Sequence, residues 1–141
     1  MARRCARLLV VVLLLGGLAV LSPTAPPAAG TDYKPYGRAM APDQTLKRGC
    51  RNYKLSWTLK PPTDEWSAII TVYTPRGRKA AGILLDANAP DPLRGSRWFK
   101  LCRASVVPGR WKVGMLVIWN DGRDRYQAPV APTYFRMRLP R

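Results

Sequence analysis

Residues 106–119 read V-V-P-G-R-W-K-V-G-M-L-V-I-W. After the Pro108-Gly109 turn, large apolar residues fall on alternate positions: Trp111, Val113, Met115, Val117 and Trp119. A period of two lines one face of a strand and cannot line one face of a helix. This is the most strand-like segment of the chain, and the remaining segments are read as strands that cover its apolar face.

Working upstream, Ser96–Cys102 (S-R-W-F-K-L-C) is a short strand with Phe99 and Leu101 on one face. Asp86–Gly95, with Pro90, Pro92 and Gly95, is the loop before it. Ala80–Leu85 forms a hairpin with Trp66–Tyr73 across the turn Thr74–Lys79, T-P-R-G-R-K. Trp66, Ala68, Ile70 and Val72 alternate in one arm of that hairpin, as do Tyr53, Leu55, Trp57 and Leu59 in Cys50–Leu59, which Pro61-Pro62 terminates. Downstream, Asn120–Pro132 reads as a long connection to a last strand, Tyr134–Leu139. Short strands with a turn signal every ten or so residues predict an all-β domain, a sandwich or barrel.

The N-terminal end of the chain adds to this. Residues 1–7 carry Arg3, Arg4 and Arg7 and no acid, residues 8–21 are almost wholly apolar, and residues 22–30 are small and proline-rich. That order predicts a secretory signal peptide over 1–30. Its 14 apolar residues fall short of the ~20 that a membrane-spanning helix needs. Cleavage after Gly30 places Ala28 and Gly30 at the −3 and −1 positions, and Cys5 precedes the apolar run, which argues against a lipoprotein. The expected division is therefore a signal peptide (1–30), an N-terminal tail or edge segment (31–49) and one domain (50–141). The mature protein is expected to be extracellular, monomeric and without a membrane span.

Beyond residue 30 only Cys50 and Cys102 remain, and an even pair in an exported chain predicts a disulfide. Cys50 has the opposite parity from Tyr53, Leu55 and Trp57, and Cys102 the opposite parity from Phe99 and Leu101. Both sulfurs should therefore point away from the inner face. One cysteine begins its strand and the other ends its strand, so antiparallel neighbours would bring them together as a staple within one sheet. Facing residue numbers would then sum to 152, which sets Tyr53 opposite Phe99.

About seven such strands in roughly 110 residues resemble the immunoglobulin and fibronectin type III sandwiches. Pro108-Gly109-Arg110-Trp111-Lys112-Val113 is similar to the Pro-Gly-x-aromatic-x-Val entry to their sixth strand. The resemblance implies an immunoglobulin-like antiparallel β-sandwich with one disulfide. It departs from the antibody pattern, whose disulfide crosses the core between the second and sixth strands, because Cys102 precedes the sixth. The fold class carries many functions and assigns none.

The whole chain carries 24 basic residues against 8 acids, a net charge of +16; without residues 1–30 the charge is +13. Such a balance attracts anionic polymers: nucleic acid, polysaccharide or wall polymer. Yet the basic residues are scattered with no run of five or six, and the wealth of Arg, Ala, Gly and Pro fits a GC-rich coding bias. Histidine is absent, which removes the commonest general base, the Ser-His-Asp arrangement and the usual zinc sets. The close carboxylate pairs, Asp64-Glu65 and Asp121 with Asp124, sit in turn sequences. Asp86-Ala-Asn88-Ala-Pro-Asp91 faintly suggests a calcium loop but lacks the glycine and distal glutamate of one. The expectation is a binding module with no catalytic residues, cofactor or metal.

Two candidate surfaces follow. If the Trp111 parity faces inward, Leu116 and Ile118 face outward, and so do Ile69 and Tyr73 on the Trp66–Tyr73 strand. As neighbours these strands would expose one apolar patch, unless the N-terminal segment with Tyr33 and Tyr36 folds over it. The second surface is the 120–132 connection, which presents Arg123, Arg125 and Tyr126. The partner is expected to be a protein or cell-envelope component, or alternatively an anionic polymer held by charge alone.

Overall fold

The computed structural model describes residues 31–89 and 91–140; the expected signal peptide lies outside the described residues. Eight strands follow one another: β1 (Gly37–Met40), β2 (Gln44–Thr45), β3 (Cys50–Leu59), β4 (Trp66–Tyr73), β5 (Lys79–Asp86), β6 (Arg94–Cys102), β7 (Gly109–Asn120) and β8 (Arg125–Arg138). A single turn of 3₁₀-helix, Arg103–Ser105, links β6 to β7. The bounds of β3 and β4 are those that the alternation predicts.

The strands form two sheets, one in the order β1-β3-β6 and one in the order β2-β8-β7-β4-β5. All pairings are antiparallel except that of β2 with β8. The alternating residues do what their period requires. Tyr53, Leu55, Trp57 and Leu59 of β3, Phe99 and Leu101 of β6, Ala68, Ile70 and Val72 of β4, and Trp111, Val113, Met115 and Val117 of β7 meet in one buried cluster. Burial of each Val, Leu, Ile, Phe or Met side chain among them contributes about 1.5–3 kcal/mol. The two tryptophans deepest in this core keep their N–H groups satisfied by backbone: Trp57 Nε1 donates to Pro92 O at 3.0 Å and Trp111 Nε1 to Val107 O at 3.1 Å. Gly95 faces Trp57 across the ladder, where an added Cβ would lie 2.6 Å from the indole; glycine there lets the ring lie against β6.

The disulfide joins Cys50 to Cys102, which face each other in the β3–β6 ladder. Both lie off the core, and Tyr53 faces Phe99 with ring centroids 6.0 Å apart. The staple therefore sits at the end of one sheet, as the parity argument requires.

Of the alternatives for 31–49, tail or edge segment, the chain takes the second: it supplies two edge strands and the fully buried Leu46. Two expectations are corrected. The strand expected from Ser96 begins at Arg94, inside what reads as the preceding loop. Most importantly, 120–132 is not a long connection: the chain turns at Asp121–Asp124 and returns as β8, paired with β7 from Asn120↔Arg125 onward.

Prolines at 129 and 132 read as strand breakers because proline cannot donate to a ladder. Along Arg125–Val130, however, β8 is an edge, since β2 pairs only with Met137 and Arg138. Lys34 N donates to Pro129 O at 2.9 Å on that open side. Pro132 falls where the register shifts, two steps of β7 (Val113 to Met115) facing three of β8 (Thr133 to Val130), a bulge that needs no donor there.

Candidate binding face and cationic end

The outer face of the five-stranded sheet is built by the odd–even rule. With Ala68, Ile70 and Val72 buried inward, β4 presents Ile69, Thr71 and Tyr73 outward. Ile69 pairs with Leu84 of β5 on one side and Leu116 of β7 on the other, and Leu116 pairs with Pro129 of β8. One row of four apolar side chains thus crosses the sheet. Ile69 is 40 % exposed and Leu84 61 %, while Leu116 is half-buried.

A second row lies toward the disulfide end, where Lys79, Tyr73, Lys112 and Tyr134 succeed one another across four strands. Gly114 makes room for Tyr73, whose ring would lie 3.3 Å from a Cβ there. The Lys112 ammonium stands 4.6 Å over the Tyr73 ring and the Arg110 guanidinium 4.0 Å over that of Tyr134. Ile69, Leu116 and Pro129 of the first row and Lys79, Tyr73 and Lys112 of the second line a shallow groove of about 370 Å³ that Tyr33 also borders. Tyr36 instead packs edge-on against Trp119, with centroids 5.0 Å apart. The N-terminal segment therefore flanks the patch and leaves Ile69 and Leu84 open.

The residues singled out from sequence do not form one site. Ile69, Tyr73 and Leu116 share the groove. Ile118 points the same way but is 8 % exposed, held in the row Asp86–Ser67–Ile118–Gln127 on a central strand. Arg123, Arg125 and Tyr126 sit at the end of the molecule away from the disulfide. Arg123 is in the tight turn and Arg125 pairs with Asn120, while Tyr126 stacks on Trp119 at 5.7 Å, on the opposite side of the sheet from Ile69. Arg125 and Ile118 meet in a separate cleft with Asp86 and Asn88.

Asp121 governs that turn. Its carboxylate accepts from the backbone N–H groups of Asp124 (3.1 Å) and Arg123 (3.5 Å). Those bonds, that of Asp124 first, hold its carboxyl below the ordinary value, and the same carboxylate pushes the Tyr126 phenol up. In the 86–91 loop the acids are likewise used internally. Asp86 Oδ1 accepts from Asn88 N at 2.8 Å, Asp91 Oδ2 accepts from Asp86 N at 3.1 Å, and Asp91 Oδ1 pairs with Arg97. Among the described residues no three His, Cys, Asp or Glu side chains gather as a metal cluster would.

The antiparallel order also sorts the charges. Asp64, Glu65, Asp86, Asp91, Asp121 and Asp124, six of the eight acids, lie at or beside connections at one end, β3–β4, β5–β6 and β7–β8. The opposite, disulfide end receives Lys47, Arg48, Arg76, Arg78 and Arg103 from its own turns and Arg110 from the start of β7, with Asp43 committed to Arg138 at 3.1 Å. Two features escape a reading by segments, Leu84 within the unbroken apolar run Ile83-Leu84-Leu85 and this polarity. A third, Trp98, 66 % exposed opposite Lys54, is legible as the outward neighbour of Phe99.

No protein-family profile matches the chain, and no curated protein does. Among solved structures, the C-terminal domain of wzt bears a weak likeness to it, with a TM-score of 0.33 and 9 % identity over 79 % of this chain and 82 % of that one.

Proposed function

We propose that the chain is an exported, immunoglobulin-like binding module that engages a protein or cell-envelope partner on the outer face of its five-stranded sheet. The strand order supports the fold reading: β3 and β6 share one sheet, and β5, β4, β7 and β8 lie side by side in the other, as the B and E strands and the C′, C, F and G strands do in such sandwiches. Export is supported by the charged, apolar and small-residue order of residues 1–30 and by the disulfide. Among the described residues no helix is long and apolar enough to cross a membrane.

The observation that carries the binding role is the row Leu84–Ile69–Leu116–Pro129, apolar, flat and open at Leu84 and Ile69. The test is capture from culture or envelope extract at low and high salt, using the protein and its Ile69→Lys/Leu84→Lys variant. A component that survives high salt and is lost with the variant supports the reading. Capture that vanishes with salt and ignores the variant overturns it. A second reading, an electrostatic binder of an anionic polymer, draws on the gathering of cations at the disulfide end.

A further inference from the structure

The cationic end is more than a charged surface, because it contains a cleft of about 300 Å³ whose walls carry Arg76, Arg78, Lys79 and Lys100 and no acid. Two independent parts of the fold bring these four together. The first is the β4–β5 turn. Thr74 N donates to Arg78 O at 2.9 Å, Arg78 N to Thr74 Oγ1 at 3.2 Å, and Gly77 N to Thr74 O at 2.9 Å. Gly77, at φ +75°, takes the left-handed conformation that closes this turn without strain. Pro75 rests against Gly109, where an added Cβ would lie 2.9 Å from the proline ring, so the turn is braced on the start of β7.

The second part is the end of β6. Lys100 precedes the stapled Cys102 by two residues, and Cys102 itself lines the cleft. The following turn is tied down by Arg103 N donating to Gly49 O at 3.0 Å and Ser105 Oγ to Cys102 O at 2.9 Å. Among the described residues none of the four cations enters an ion pair. Four like charges on two braced walls repel one another, and an anion between them would relieve that repulsion.

We infer that this cleft is a binding site for clustered phosphate groups, such as those of an oligophosphate or a phosphate-dense polymer. One phosphate monoester brings a charge of only about −1.5 to −2, so four facing cations call for more than one. Two guanidinium forks and two ammonium groups suit tetrahedral oxyanions at short spacing. The inference rests on the anionic-polymer reading and sharpens it, replacing diffuse attraction by a dedicated site. Lys79 stands on the wall of both this cleft and the groove, so the cleft continues the docking face around the end of β5.

Calorimetric titration of the purified protein with inorganic tripolyphosphate, in physiological salt, tests it. Saturable binding near one equivalent is expected, at least about tenfold tighter than orthophosphate. Arg78→Gln/Lys100→Gln should weaken tripolyphosphate by about tenfold or more, two charged hydrogen-bonding groups being lost. Arg38→Gln/Lys54→Gln, which removes the same charge from the outer face of β1 and β3, should change it by less than about threefold. Melting temperatures establish that both variants fold, which their exposed positions favour. Equal weakening by the two pairs, or absence of saturable binding, would overturn the dedicated site and leave diffuse attraction standing; absence of any salt-dependent association with long-chain polyphosphate would overturn both. A long-chain polyphosphate arm distinguishes a free ligand from a polymer-borne one. Binding that is tight for tripolyphosphate alone marks the former, and tighter binding of the chain marks the latter.

Discussion

Removing the disulfide by Cys50→Ser/Cys102→Ser separates two ways in which a cross-link can act. The cysteines are 52 residues apart and face each other at the end of the β3–β6 ladder, off the buried core. Their replacement opens no cavity, so the loss should come from the unfolded chain alone. For a loop of this length the chain-entropy relation gives about 4 kcal/mol as the upper figure. Truncating a core residue such as Leu55 would instead cost about 2–5 kcal/mol by way of a hole in the native state. Urea unfolding of the two proteins, followed by tryptophan fluorescence, reads the difference. The variant should lose about 2–4 kcal/mol, and its m-value should rise as the freed chain expands. The tryptophan fine structure of the near-ultraviolet circular dichroism should be unchanged, superposed on the loss of the disulfide's own broad band, since Trp57 and Trp111 keep their neighbours and their backbone acceptors. Altered tryptophan fine structure, or a midpoint that does not move, would refute the outer-staple argument.

Leu46→Ala should destabilise the protein by about 2–5 kcal/mol, measured in the same urea assay, because Leu46 is fully buried. A loss under ~0.5 kcal/mol would return 31–49 to the status of a tail. At the β7–β8 turn, the folded Asp121 carboxyl lies below its ordinary pKa of 3.8, so its contribution holds above that value and is lost as pH falls through the depressed one. Tyr126 is shifted the other way: its contribution holds below pH 10.0 and is lost as pH rises through the raised folded value. Titration of ¹³C-labelled tyrosine by NMR should place Tyr126 above 10.0 and return it toward 10.0 in Asp121→Asn.

What the sequence makes legible is what alternation encodes. A buried face on one side of a strand writes itself into every second residue, so β3 and β4 are readable to the residue, and cysteine parity sets the disulfide on the outside of one sheet. The period falls silent where both neighbours of a position are apolar, as at Ile83-Leu84-Leu85, and where a strand is too short to repeat, as in β1 and β2. In β8 the signal is present, since Ala128, Val130, Phe135 and Met137 are buried, but the bulge shifts its phase midway and the prolines mask it.

The misreading of β8 bears directly on function. As a loose loop, 120–132 would have offered Arg123, Arg125 and Tyr126 as an adaptable recognition surface. As a strand it extends the sheet by Pro129, completes the apolar row, and ties Tyr126 to Trp119. The candidate surface thereby moves from a flexible end to a flat face whose residues are positioned by paired backbone. Charge follows the same logic. A list of basic residues shows only scatter, because residues gathered at one end of antiparallel strands are separated in sequence by two strand lengths. The Arg76–Lys79 turn gains Lys100 as a neighbour only once β5 and β6 are brought together by the fold. A strand of β8's composition at an edge, rather than in the middle of the sheet, is what lets both arrangements stand, since an interior position would have left the prolines' missing donors unanswered.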